Sequence, residues 1–114
     1  MKNVYIPEDT LGQIQVVFGS PIRVAAASLW VANPESKLYT REVADILGAN
    51  PPSVAPMLGS LAGAGLLHEI GDTNGWDKTR VPVQYERTEH ELWPVYECAR
   101  GMLIAAGATL PDVE

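Results

Sequence analysis

Residues 39–67 constrain the fold of this chain more than any other segment. Apolar side chains recur at helical spacing on both sides of Gly48, a residue that can end a helix in a left-handed conformation. Pro51 is typical of the first turn of a second helix, and Gly65 can end it. The segment therefore predicts two short helices, joined by a tight turn, with an apolar strand directly after them.

The flanking segments supply further helices that can pack around this pair. Helical spacing of apolar residues predicts a first helix capped by Thr10 and a second over residues 21–32. A polar loop over residues 33–38 then leads to the central pair, whose first helix Thr40 can cap. The last helix is expected over residues 94–106, because Pro94 is favoured at a helix start.

Two strands are expected after the central helices. Residues 66–70 form the first, a turn-rich loop follows, and the alternating segment 80–87 predicts the return strand. Pro82 lies inside the return strand and would place that strand at the edge of the sheet, because proline donates no hydrogen bond to a neighbour.

This order of elements is that of a winged helix-turn-helix domain. The expected fold is mainly α with a two-stranded β wing and extra N- and C-terminal helices. The 114 residues, 46% of them hydrophobic, are enough for one domain with a single core. We expect the domain over residues 10–106, with a flexible N-terminal arm over 1–9 and a flexible C-terminal tail over 107–114.

Four short sequences resemble those of ArsR-like winged-helix transcriptional regulators. They are FGSPIR at 18–23, TREVA at 40–44, AGLL at 64–67 and EHELWP at 89–94. The resemblance covers residues 11–106 and implies a homodimer whose terminal helices form the interface. It also implies binding to double-stranded DNA through the second motif helix and the wing.

The predicted second motif helix departs from the family pattern where such domains read bases. The run NPPSVAPMLGSL at residues 50–61 has no charged residue, whereas Arg, Asn and Gln supply the usual base contacts. Asn50 is expected to cap this helix with its side chain. Pro56 lacks an N–H and crowds the carbonyl of Pro52, so we expect a short, bent or partly 3₁₀ helix.

The candidate DNA contacts are three cations and three polar residues of the motif. They are Arg41, Asn50, Ser53, Ser60, Lys78 and Arg80. Cations in such places contact phosphates, and the amides at the start of the second motif helix can also hold one. The alternative for each cation is an ordinary solvated charge, since nearby acids and a net charge of −6 weaken any positive field.

The two terminal helices carry more apolar surface than a three-helix core can cover. The expected dimer interface consists of Leu11, Ile14, Phe18, Trp93, Tyr96, Met102 and Leu103. The alternative is that both helices pack on their own core. Arg23 is expected to form a salt bridge within the fold rather than to contact DNA.

A protein-binding module is the alternative function. The acidic charge, the uncharged motif helix and an exposed apolar surface at residues 51–57 all favour a protein partner over DNA. Trp76 in the wing loop can insert into a groove or a partner pocket, or fold back onto the domain.

Several other classes of function find no support in the sequence. No residue pattern indicates catalysis, so an enzyme is not expected, and neither is a cofactor. His68, His90 and Cys98 lack the pairing of a metal site, and Cys98 is expected to be a buried thiol. The N-terminus lacks a signal-peptide pattern and no apolar run approaches membrane-spanning length, so we expect a cytoplasmic protein without membrane association.

Overall fold

The computed structural model describes residues 1–71 and 83–113 of the chain. Its helices are α1 (Glu8–Phe18), α2 (Pro21–Ala32), α3 (Thr40–Leu47), α4 (Pro51–Gly63) and α5 (Trp93–Ala105). Its strands are β1 (Lys37–Tyr39), β2 (Leu67–Ile70) and β3 (Gln84–Arg87). The mainly α fold and the predicted order of helices and wing strands are confirmed, and β1 is added in the segment predicted as a polar loop.

Two helices that carry acidic residues in their first turn begin earlier than the sequence predicts. α1 begins at Glu8 rather than after Thr10. α3 begins at Thr40, where the carboxylate of Glu42 accepts the N–H of Tyr39 at 3.0 Å. Because the N-terminal end of a helix is electropositive and has unpaired N–H groups, carboxylates there stabilise an early start.

The second helix, α2, lies at the centre of the molecule. Residues 24–30 are all buried, and α4 and α5 pack against this helix. The indole of Trp30 is fully buried, and its Nε1–H donates to the carbonyl of Ser36 at 2.9 Å. A smaller apolar cluster of Ile14, Val24, Ala99 and Leu103 joins α1, α2 and α5. The terminal helices therefore pack on their own core.

In residues 1–71 and 83–113, no single helix is long and apolar enough to cross a membrane. Helices α1 and α2 together are long and apolar enough to do so, but an 86° bend separates them.

The three strands form one antiparallel sheet in the order β1, β3, β2. Tyr85 in β3 lies opposite Leu38 of β1 and Glu69 of β2. Burial, reinforced by the Glu69 carboxylate, raises the pKa of the Tyr85 phenol. The return strand is thus central, and the predicted edge position is wrong. Pro82 lies outside the described residues, and the described strand begins only at Gln84.

The second motif helix, α4, is a 13-residue α-helix that continues through Pro56. The expected shortening and 3₁₀ character are therefore wrong. Val54, Leu58 and Leu61 are all buried and lie on both sides of the proline. Their burial holds both halves of the helix on the core, which offsets the backbone hydrogen bond that Pro56 cannot donate.

Both ends of the described chain make hydrogen bonds to the domain, while the expected flexibility of residues 1–9 and 107–114 stays a prediction. Tyr5 and Thr109 exchange two backbone hydrogen bonds of 3.0 and 2.8 Å. The N–H of Lys2 donates to the carbonyl of Gly48 at 3.0 Å. Near the other end, the Asn33 amide donates to the carboxylate of Asp112 and lowers its pKa.

Apolar side chains explain why these ends stay on the domain. Val4 and Val113 pack against the main core, and Ile6 and Leu110 pack against the smaller cluster. The segment of residues 1–6 thus connects two places, the end of α3 and the segment that follows α5.

Candidate nucleic-acid interface

The start of α3, the start of α4 and the base of the wing meet at one open groove. Its lining includes Tyr39, Arg41, Pro51 and Val83, the last of which directly precedes β3. Arg41 is exposed at the second position of α3. The structure thus brings one predicted phosphate contact beside the start of the predicted recognition helix.

The same groove also contains negative charge. Glu42 and Asp45 line it together with Arg41, and all three residues are exposed. Within the described ranges, one cation therefore faces two carboxylates there. Positive potential at this groove is weak unless further cations contribute, since opposite charges this close cancel much of each other's field.

The N-terminal end of α4 is poorly suited to hold a phosphate through its backbone, contrary to expectation. Pro51 and Pro52 are its first two residues and have no N–H to donate. The N–H of Ser53 donates to the carbonyl of Asn50 at 2.9 Å. A helix end binds anions through free amides, and the first three residues of α4 offer none.

The polar candidates on α4 divide between two surfaces. Asn50 and Ser53 are exposed at its start. Asn50 occupies the predicted N-cap position but makes no side-chain cap bond within the described residues, so its amide can contact a ligand. Ser60 lies instead beside Phe18 and Tyr96, and its hydroxyl donates to the carbonyl of Met57 at 3.0 Å. Ser60 is thus not part of the groove that contains Arg41.

The exposed face of the first half of α4 is apolar. Pro51, Pro52, Ala55 and Pro56 are all exposed, and Met57 is partly buried. This agrees with the apolar surface expected at residues 51–57. The remaining wing candidates Lys78 and Arg80, together with Trp76, lie outside the described residues.

Three residues of the predicted dimer interface are buried within the single chain. Ile14 and Trp93 are each 1% exposed, and Leu103 has no exposed surface. The indole of Trp93 donates from Nε1 to the carbonyl of Leu66 at 3.2 Å, and the guanidinium of Arg87 lies 4.5 Å from its ring centre. These three side chains stabilise the fold of one chain, so their assignment to an interface is wrong.

Other apolar residues of α1 and α5 remain on the surface. Met102 is half exposed, whereas Leu11, Phe18 and Tyr96 are partly buried. Five further exposed apolar side chains on or directly beside these helices, including the two most exposed, were not among the predicted interface residues. They are Val16 at 87%, Val17 at 70%, and Leu92, Val95 and Ile104 at just under half.

A cavity of about 290 Å³ lies between the end of α1, the second half of α4 and the start of α5. Val17, Leu92 and Val95 line its mouth together with Arg23. The guanidinium of Arg23 donates from Nη2 to the carbonyl of Phe18 at 3.2 Å. Its partner is thus a backbone carbonyl rather than the carboxylate that the sequence analysis expected.

Comparison with solved structures identifies the architecture. A transcriptional regulator homologue from Pyrococcus horikoshii is 16% identical, with a TM-score of 0.56, over 85% of this chain and 95% of that one. A MarR-family transcriptional regulator from a Rhodococcus species is 19% identical, with a TM-score of 0.59, over 86% of this chain. The YusO protein of Bacillus subtilis is 18% identical, with a TM-score of 0.56, over 84%. The chain has a winged-helix fold.

This chain spans 65% of the length of the Rhodococcus and Bacillus proteins. None of these three structures is described as ArsR-like, so the comparisons support a winged helix-turn-helix domain without that subfamily. No protein-family model and no curated protein matches the sequence. At identities of 16–19%, the likeness concerns the fold.

The residues considered for a metal site lie apart in the winged-helix fold. Nδ1 of His68 is 3.1 Å from the carboxylate of Glu86 on the neighbouring strand. Nδ1 of His90 accepts the N–H of Leu92 at 3.0 Å. Cys98 is exposed rather than buried as expected. Among residues 1–71 and 83–113, no three possible ligands gather at one place.

Proposed function

We propose that this protein is a dimeric, ArsR-like, DNA-binding transcriptional regulator and not an enzyme. The observation that carries the proposal is the groove at which Arg41, the start of α4 and the base of the wing meet. A winged-helix domain that binds DNA would use the same elements, with one helix in the major groove and the wing against the backbone. We propose a cytoplasmic location as well, as the sequence predicts.

Each candidate residue has a definite part in this proposal. Arg41 contacts a phosphate beside the groove, and Lys78 and Arg80 of the wing contact phosphates farther along the duplex. Asn50 and Ser53 at the start of α4 are the polar groups nearest the bases. Ser60 is left out, because it faces α1 and α5.

The exposed apolar surface of α1 and α5 supports a homodimer. Val16 and Val17 of α1 and Met102 of α5 are exposed to a degree that is unusual for apolar side chains of this size. A second copy of the chain would cover this surface. Two copies would also present two α4 helices to DNA, which doubles the number of phosphate contacts.

The test is DNA binding at 50 and 200 mM salt, with random fragments and with the DNA upstream of the protein's own gene. Because each phosphate contact releases counterions, binding should weaken steeply between these two concentrations. Arg41→Ala should reduce the slope of log K against log salt by about 1 per chain. Lys37→Ala is the matched control, since Lys37 is an exposed cation on β1 outside the lining of this groove.

A protein-binding module is the second candidate, favoured by the exposed apolar residues of α4 and by the two carboxylates near Arg41. In this alternative, the surface at residues 51–57 binds a protein partner. A folded dimer that binds neither the random fragments nor the upstream DNA at 50 mM salt would contradict the regulator proposal and favour a protein-binding module. Binding that Arg41→Ala and Lys37→Ala weaken equally would contradict the assigned role of Arg41.

A further inference from the structure

The exposed face of α4 limits which part of a DNA duplex this helix can recognise, if the proposed function holds. Pro52, Ala55, Pro56 and Gly59 are exposed and lie on the side opposite the buried Val54, Leu58 and Leu61. At 100° per residue, these four positions form one continuous strip. The side chains along this strip end in carbon and hydrogen.

Polar recognition by this strip is ruled out by its chemistry. Guanine is read by donors from Arg or Lys, adenine by the amide of Asn or Gln, and cytosine by a carboxylate. Helix α4, which is described in full, contains none of these residue types. Phosphate binding through the backbone is also poor, because the N–H of Ser53 is donated to Asn50 and two prolines precede it.

The major groove of B-DNA offers one apolar group on its base edges, the C5-methyl group of thymine. An alanine methyl can contact that group, and the ring methylenes of a proline offer the same kind of surface. Gly59 leaves open space at its Cβ position, so α4 can approach the groove closely along this strip. Pro52 and Pro56 are about 6 Å apart along the helix axis, close to two base steps of 3.4 Å.

We propose that α4 recognises thymine through its methyl group, by apolar contact from Pro52, Ala55 and Pro56. Specificity then comes from the burial of methyl groups, and the few polar groups at Asn50 and Ser53 set the position of the helix. The proposal rests on the proposed function and names which base that function reads.

The test replaces thymine with deoxyuridine, which removes the methyl group and leaves base pairing unchanged. Sequences are first selected from a random duplex library by the whole protein at low salt. Each thymine of a selected site is then replaced singly, and the dissociation constant is measured. A contacted methyl should cost roughly fourfold in affinity when it is removed, since burial of one such group is worth about 0.8 kcal/mol.

Protein variants show whether α4 makes the contact. In Ala55→Gly, deoxyuridine should no longer weaken binding at one or two thymine positions, and it should still weaken binding at the others. Ala105→Gly is the matched control, because it makes the same change at an exposed helical residue of α5 and should leave every position sensitive. Circular dichroism checks that both variants are folded.

The outcomes separate this inference from the function on which it rests. Tight binding to selected DNA that no deoxyuridine weakens overturns the thymine proposal and leaves the regulator standing. A selection from the random library that enriches no thymine also overturns the thymine proposal and leaves the regulator proposal standing. Absence of DNA binding at low salt overturns both. Equal effects of Ala55→Gly and Ala105→Gly show that the methyl contacts come from elsewhere, which also overturns the assignment to α4.

Discussion

At the scale of single residues, Gly48 connects the motif to the N-terminal segment. It ends α3 with a φ of 70°, a left-handed conformation that costs other residues about 1–2 kcal/mol. Its carbonyl accepts the N–H of Lys2, and a Cβ added there would lie 2.9 Å from the Cβ of Lys2. Backbone strain and crowding therefore act at the same position.

Replacement of Gly48 by alanine should lower the free energy of unfolding by about 2 kcal/mol. Gly59→Ala is the matched control, because Gly59 lies inside α4 with open space at its Cβ position. That variant should raise the free energy of unfolding by about 0.5–1 kcal/mol. Urea denaturation followed by circular dichroism measures both. Changes of the same sign in the two variants would contradict this account.

The sequence predicted the role of Gly48 but could not predict which apolar residues of the terminal helices are buried. Helical spacing shows that Ile14 and Leu103 lie on apolar stripes. It does not show whether a stripe packs against the same chain or another one. Here Ile14 and Leu103 pack in one cluster with Val24 and Ala99. Whether they are buried within the chain therefore depends on the relative position of α1, α2 and α5.

At the scale of elements, α4 is held together by its packing. Pro56 is its sixth residue, beyond the first turn, and so removes a hydrogen bond to the carbonyl four residues earlier. From this local cost, the sequence predicted a short, bent or partly 3₁₀ helix. The buried side chains of Val54, Leu58 and Leu61 outweigh it.

Pro56→Ala should therefore stabilise the protein. We expect a rise in the free energy of unfolding of about 2 kcal/mol, because alanine restores the hydrogen bond and fits the helix interior better than proline. Pro51→Ala is the control, since proline is well tolerated at the first helical position and its replacement should change stability little. Thermal unfolding of the two variants gives the comparison. A loss of stability in Pro56→Ala would show that the proline is not a defect.

Strand β1 shows another limit of sequence reasoning about elements. It has three residues, too few for an alternating pattern, and it exists because Leu38 lies opposite Tyr85 of β3. Pairing between strands so far apart in sequence leaves no local signal. The central position of β3 was missed for the same reason.

At the scale of the whole molecule, α1 and α5 expose several large apolar side chains. Val16 and Val17 are among the most exposed apolar residues of the described chain, and Val17 lines the same cavity as Leu92 and Val95. A contiguous exposed apolar surface is unfavourable in water, and the proposed dimer would cover this one. Because α1 and α5 both contribute, a symmetric contact can bury both helices of each copy.

Val17→Glu should convert the proposed dimer into a monomer, because a carboxylate would lose its hydration in an apolar contact. Sedimentation equilibrium should give twice 12.3 kDa for the natural protein and 12.3 kDa for the variant. Gln15→Glu adds the same charge on the other flank of α1 and should remain dimeric. A natural protein that sediments as a monomer at all concentrations would overturn the dimer.

The backbone pairing of Tyr5 with Thr109 has a consequence for how the chain folds. The two residues lie near opposite ends of the sequence, so their hydrogen bonds close a loop that contains nearly the whole domain. Loop closure on this scale is entropically unfavourable until the intervening helices have formed. The edge formed by these two segments therefore forms last as the protein folds and opens first as it unfolds. The amide of Tyr5 should exchange its hydrogen for deuterium well before those of buried α2.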